Sequence, residues 1–198
     1  MQSEHVSQVI SIGRKSSTKQ HAKLEELIVP NLFELDLDNM IFKDVDAVFF
    51  CIGVYTGAVD KATFRKITTD LPVAFAKQVY EHSPNTKFCL LSGAGADRTE
   101  KSRAMFARDK GAAENQLAAI GFKAFHSFRP AYIYPVNARK EPNFMYEVSR
   151  QLYPLIKLFG KNASIESVQL AQAMFNVGMD ESITKEVLEN YEILEFAK

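Results

Sequence analysis

Phe106 and Lys110 stand four residues apart in an alanine-rich stretch with helical spacing, so their side chains share one face, a turn apart. A lysine ammonium carries three donors for ligand oxygens. A phenylalanine ring has no ionisable group, so Phe106 cannot serve as a general acid or base. Ser92 ends the apolar run Lys87–Leu91, and Arg129 ends Ala124–Phe128. Asp36 and Gly53 close two further runs, and Arg14 and Lys15 follow another. A hydroxyl, cations, a carboxylate and a close backbone approach at the ends of strands suit a small-molecule substrate or a nucleotide. Tyr132 and Tyr134 are the hydroxyls that could stand in as an acid. Each residue also has a plainer use. Lys110 could be solvated and paired with Glu114, Ser92 could bond local backbone, and Arg129 could form a surface ion pair. Asp36 could start a turn, and Gly53 could simply end its strand. His126 reads as a core histidine.

The elements that must position these groups alternate. Residues 8–12, 31–35, 47–52, 87–91 and 124–128 read as strands, with 192–196 as a final one. The run at 47–52 is continuously apolar, as for a strand covered on both faces. Helical spacing covers 71–81, with Asp70 as its cap, and 106–120, stopped by Gly121. Ser164 reads as the cap of a helix carrying Ile165, Val168, Ala171 and Phe175. This predicts an α/β, Rossmann-like, open and mostly parallel sheet with helices on both faces. The loop 135–142 divides residues 1–134, the nucleotide-binding-type domain, from a small appendage at 135–198.

A dinucleotide fold opens with a glycine-rich turn that lets the pyrophosphate rest on a helix N-terminus. No such turn occurs in the sequence. Gly93-Ala94-Gly95 follows a strand, but Arg98 stands where the third glycine belongs. Thirteen residues precede Arg14, too few for a strand, turn and helix, so the first βα unit is expected to be missing. Two explanations stay open: Met1 is an internal methionine of a longer protein, or the protein is a natural remnant. Without that strand the sheet is expected to be marginal unless its neighbours pair directly or another chain fills the gap.

The motifs CIGVYTG, LLSGAGAD, the Lys110-Gly111 helix and FRPAYIYP resemble the short-chain dehydrogenase/reductase superfamily, in its atypical, NmrA-like and Tat-interacting-protein-like branch. The resemblance implies an NADP-binding protein, oxidoreductase-like or sugar-nucleotide-epimerase-like, with a non-catalytic NADP sensor or interaction module as the alternative. It places Arg14 and Lys15 at the 2′-phosphate, Asp36 at the adenine, and Gly53 and Arg129 near the cofactor. It places Lys110 on the ribose and Ser92 beside the substrate. Phe106 falls where the family has its proton-donating tyrosine, which makes the site degenerate. With the glycine turn missing, NADP binding is expected to be weak or absent.

The rest of the composition excludes more than it assigns. Lysine plus arginine equals aspartate plus glutamate at 24 each, so no net field draws nucleic acid or a membrane surface. The basic stretch Lys101, Arg103, Arg108, Lys110 is interrupted by acids and reads as a solvated face. No apolar run approaches the ~20 residues that span a bilayer. Cys51 and Cys89 sit in apolar runs and read as buried, reduced thiols, without a metal site. These features place the protein in the cytoplasm, with a homo-oligomer left open.

Overall fold

The computed structural model describes residues 1, 3–33, 39–136, 153, 160 and 162–198. They form two compact units, Met1–Lys43 and Asp44–Lys198.

In the first unit, β1 (Val9–Gly13) pairs in parallel with β2 (Leu24–Ile28), in a register running from Val9↔Leu24 to Gly13↔Ile28. The expectation of a strand at 31–35 is corrected over its described residues, 31–33, which form a turn; the strand beside β1 is 24–28. Pro30 has no N–H for a ladder. Just beyond it the Asn31 Oδ1 accepts the Phe33 N–H at 3.1 Å, closing a turn. Residues 34–38, Asp36 among them, lie outside the described residues.

In the second unit, β3 (Ala47–Phe50), β4 (Lys87–Leu91), β5 (Ala124–Arg129) and β8 (Val187–Glu189) form a parallel sheet in that order. A separate parallel pair joins β6 (Tyr132–Tyr134) to β7 (Ser164–Glu166). The helices are α1 (Lys61–Arg65), α2 (Leu71–His82), α3 (Met105–Ala118), α4 (Ser167–Met179) and α5 (Asn190–Phe196). Strand alternation sends Cys89, Phe128 and Leu188 to one face, where Leu170, Ala173 and Val177 of α4 and Ile193 of α5 cover them. On the other face Phe88 stacks between Phe50 and Phe122, with ring centroids 6.3 and 5.2 Å away. Helices thus cover both faces of a parallel sheet, as the alternation of elements predicts.

Three local expectations change. Asp70 is not a cap. The helix starts earlier, at Asp60, whose carboxylate accepts from Thr63 N and Oγ1 at 3.0 and 2.6 Å. It runs into α2 through a π-type turn, Lys66–Asp70, in which Leu71 N bonds Lys66 O. Pro72 follows at once. It cannot donate to the preceding turn, and widening the ladder there absorbs the break. Ser164 does not cap α4 but lies in β7; Glu166 caps it, in a reciprocal box with Gln169. Residues 192–196 belong to α5 rather than to a strand. The Glu189–Glu192 box starts that helix, and the strand precedes it. β3 also departs from full coverage. Among the described residues it pairs with β4 alone, and Phe49 is 40% exposed.

Candidate functional site

The carboxyl ends of β3, β4 and β5 bring Cys51, Leu91, Ser92, Gly93 and Arg129 toward one face of α3. That face carries Phe106, Lys110, Ala113, Glu114 and Leu117, spaced as a buried helical stripe. Gly111 lets the helix sit close. A Cβ built there would lie 1.8 Å from the Asp97 carbonyl oxygen. The loop after β4 therefore rests on the helix backbone itself.

Lys110 is not the solvated lysine of the plainer reading. It is 9% exposed, and its Nζ donates to the Leu91 carbonyl at 3.2 Å. Burial pulls its ammonium down to about 8, against opposing pulls from Glu114 and Cys51. One hydrogen bond leaves donor capacity on the amine, which fits a ligand hydroxyl at the strand ends. Phe106, one turn earlier, points its ring tip at Gly93. Gly53 is exposed, and a Cβ added there meets open space, so a ligand could approach its backbone.

Glu114 is the group that sequence reading did not place. It is fully buried. Its Oε1 accepts from Ser92 Oγ at 2.6 Å and Arg129 Nε at 3.0 Å. Its Oε2 accepts from Arg129 Nη2 at 2.5 Å and Arg98 Nε at 3.1 Å. Arg129 also holds Glu189 at 3.1 Å, and Arg98 holds Glu186 at 2.7 Å. Burial raises the Glu114 carboxyl, but the bonds from Arg129 and Ser92 and the Arg129 charge more than reverse it, leaving it below the usual range. The network ties β4, α3, β5 and β8 together. It occupies the Ser92 hydroxyl and most of the Arg129 guanidinium. The helical stripe was the signal for Glu114: it lies four residues after Lys110 and between Ala113 and Leu117.

The basic stretch divides. Lys101 and Arg103 are exposed, whereas Asp109 and Lys110 are buried, with Asp109 held by Arg65 at 3.2 Å. Both cysteines are free. Cys89 is buried as expected, and Cys51 is exposed as a residue, contrary to expectation. Desolvation at the sulfur nevertheless pushes the Cys51 thiol up to about 11. His126 is fully buried, its Nδ1 bonded to the Lys185 carbonyl at 2.8 Å and its Nε2 without a partner. Tyr134 stacks on Tyr153 with centroids 3.8 Å apart. In the first unit, Arg14 and Lys15 follow β1 and are exposed. No cluster of His, Cys, Asp or Glu among the described residues could hold a metal ion, and no described helix could cross a membrane.

No protein-family model and no curated protein matches the sequence. Solved structures do. The Bordetella bronchiseptica enzyme WbmG, in complex with NAD, matches with a TM-score of 0.63 and 14% identity, over 95% of this chain and 67% of that one. UDP-N-acetylglucosamine 4-epimerase from Bacillus cereus matches with a TM-score of 0.59 and 18% identity, over 94% and 73%. UDP-glucuronic acid 4-epimerase from Bacillus cereus, in complex with NAD, matches with a TM-score of 0.63 and 12% identity, over 91% and 69%. At these identities the likeness is one of fold: this chain has the Rossmann-like α/β architecture of those enzymes.

Proposed function

We propose that this protein is a nicotinamide-nucleotide-binding relative of the short-chain dehydrogenase/reductases, of the atypical, NmrA-like type, with a degenerate active site. The observation that carries it is the Phe106–Lys110 pair on the sheet-facing side of α3. The amine is anchored at the end of β4, where open α/β sheets bind their ligands. The fold it shares with NAD-bound enzymes supports the same reading. In this proposal Lys110 meets the ribose, the Gly53 backbone lies close to the cofactor, and Arg14 and Lys15 prefer the 2′-phosphate of NADP. Asp36 contacts the adenine, and Ser92 and Arg129 shape the cleft. The cofactor would supply hydride. The protein would bind and orient, and Phe106 would leave the position of the proton donor empty of a hydroxyl.

One observation favours a non-catalytic NADP sensor over an oxidoreductase or epimerase. The Ser92 hydroxyl is donated to Glu114, and Arg129 spans Glu114 and Glu189. Three groups that would act on a substrate are thus either missing a hydroxyl or engaged within the protein.

Calorimetric titration with NADP, NADPH and NAD tests the binding half. Weak saturable binding of NADP that Arg14→Ala reduces more than it reduces NAD supports the proposal; equal losses reject the 2′-phosphate role. A carbonyl substrate panel tests the other half. Phe106→Tyr should gain reductase activity that Lys110→Ala then removes. Rapid turnover by the unmodified protein, unaffected by Phe106→Tyr, would reject the site alignment.

A further inference from the structure

Where β4 and β5 begin, at the end of the sheet opposite Lys110, lies a cavity of about 240 Å³. Its lining includes Lys87, Phe122, Lys123, Phe125, Glu181 and Ile183. The volume is below the ~300–1,000 Å³ of ordinary ligand clefts, which limits an occupant to about one ring or a short chain.

Lys87 is the unusual member. Its side chain is 5% exposed, yet its ion-pair partner is Glu181, 3.5 Å away and 67% exposed. Lys123 reaches the other oxygen of the same carboxylate at 2.5 Å. A buried ammonium needs a close, equally desolvated counter-ion to offset the loss of its hydration. A carboxylate standing mostly in water supplies little of that. The other acids nearby make their hydrogen bonds elsewhere, although the Asp180 charge still reaches Lys87. Glu186 accepts from Arg98 at 2.7 Å, and Asp180 accepts from Ser182 N and Oγ at 2.8 and 2.7 Å. Burial pushes His126 toward its neutral form, and the Lys87 charge adds to this. Among the described residues, one exposed carboxylate, Glu181, is thus ion-paired with both ammonium groups, and Asp180 acts on Lys87 only from beyond that distance. The facing wall is apolar and fixed, because the Phe122 ring is packed by Phe88 and Tyr80 at centroid distances of 5.2 and 5.4 Å.

We propose that this cavity binds a small organic anion, an aryl or alkyl carboxylate, whose carboxylate replaces Glu181 between Lys87 and Lys123 and whose apolar body lies on Phe122 and Ile183. Glu181 is then an internal competitor, held on an exposed turn from which it can swing into water. The site is separate from the strand ends where the nucleotide is placed, and does not depend on that assignment.

Phenylacetate is a suitable probe, followed by amide chemical shifts in two-dimensional NMR, with phenylacetamide as the uncharged control. Saturable shifts around Lys87, Phe122 and Ile183 are expected with phenylacetate and not with phenylacetamide. Glu181→Gln, on an exposed turn, should tighten binding several-fold. Lys87→Met, which replaces a buried amine by an apolar chain of similar length, should weaken it about tenfold or more. Equal response to the amide, an unchanged affinity in Lys87→Met, or no saturable shift overturns the proposal. Addition of NADP should leave the phenylacetate affinity unchanged; loss of NADP binding has no bearing on this result.

Discussion

The ring tip of Phe106 stands where a side chain on Gly93 would begin: a Cβ at Gly93 would lie 2.7 Å from Phe106 Cζ. The Phe106 ring and the glycine two residues past the end of β4 are thus fitted to one another. Gly93→Ala should force the ring aside and cost about 1–3 kcal/mol, the usual range for overpacking. Phe106→Leu removes the ring tip, so Gly93→Ala made in that background should cost much less. A double-mutant cycle from urea unfolding reads the coupling. Additive effects would mean that the two positions do not touch.

Glu114 is expected to be the most sensitive single position in the site. Arg98, Arg129 and Ser92 all donate to it. Glu114→Ala leaves two guanidinium groups and a hydroxyl facing an apolar gap. Breaking a buried pair from one side costs about 3–5 kcal/mol. The same change at Glu186, which is 54% exposed, should cost no more than about 1 kcal/mol. Denaturant midpoints for the two variants check the ordering.

Sequence patterning carried the α/β class, β1 and β3 to β5, because those runs are apolar for reasons that burial dictates. It failed at 31–33, the described part of NLFEL, where Pro30 and the Asn31 turn stand in place of a strand. It failed again at 192–196, where a capping box outweighed an apolar run too short to reveal its period. The places of Lys110 on α3 and Ser92 after β4 were legible from the pattern, but the Leu91 carbonyl and Glu114 that bond them were not. Glu114 looked like a solvent-facing acid one turn from Lys110, and only the folded chain shows it claimed by arginines from two other segments, 16 and 15 residues away. Such long-range charge pairing leaves no periodic trace.

Two glycines should answer differently to alanine. Gly111→Ala drives a Cβ into the Asp97 carbonyl at 1.8 Å, backbone against backbone. Neither side can yield without moving α3 or the loop, so a loss at or above the ~1–3 kcal/mol of overpacking outweighs the ~1 kcal/mol of gained helix propensity. Gly53→Ala meets nothing within 4 Å, so its effect on stability should stay within about 0.5 kcal/mol. If Gly53 also approaches a bound nucleotide, the same variant should weaken NADP without lowering the melting temperature.

His126 makes stability depend on mild acid. Burial holds its imidazole below the ordinary 6.5, with the Lys185 carbonyl opposing. A depressed folded value means that the unfolded chain takes up the proton first. Stability is therefore full above about 6.5 and is lost as pH falls from there toward the folded value. Unfolding curves at pH 7 and 5 should show the loss, and His126→Gln should shrink it. An identical fall in the variant would assign the effect to other groups.

Lys110 acts in the opposite pH range. Its ammonium is pulled to about 8 by burial, against an unfolded value near 10.4. Below pH 8 both states hold the proton, and the folded state bears the whole cost of a buried charge. Between about 8 and 10.4 the unfolded chain holds the proton more tightly, so this group's contribution to stability rises with pH. The full span is on the order of 3 kcal/mol. The two thiols run the other way. Desolvation lifts Cys51 to about 11 and Cys89 to about 12, so stability present below an ordinary thiol value is lost as pH climbs. Total stability therefore need not rise, and the informative quantity is a difference. Lys110→Met should be more stable than the parent at pH 7, and that advantage should shrink steadily toward pH 10. Paired urea titrations at pH 7, 8.5 and 10 measure it. A constant difference across that range would mean that the Lys110 amine is hydrated and ordinary, and that its bond to Leu91 does not hold it out of water.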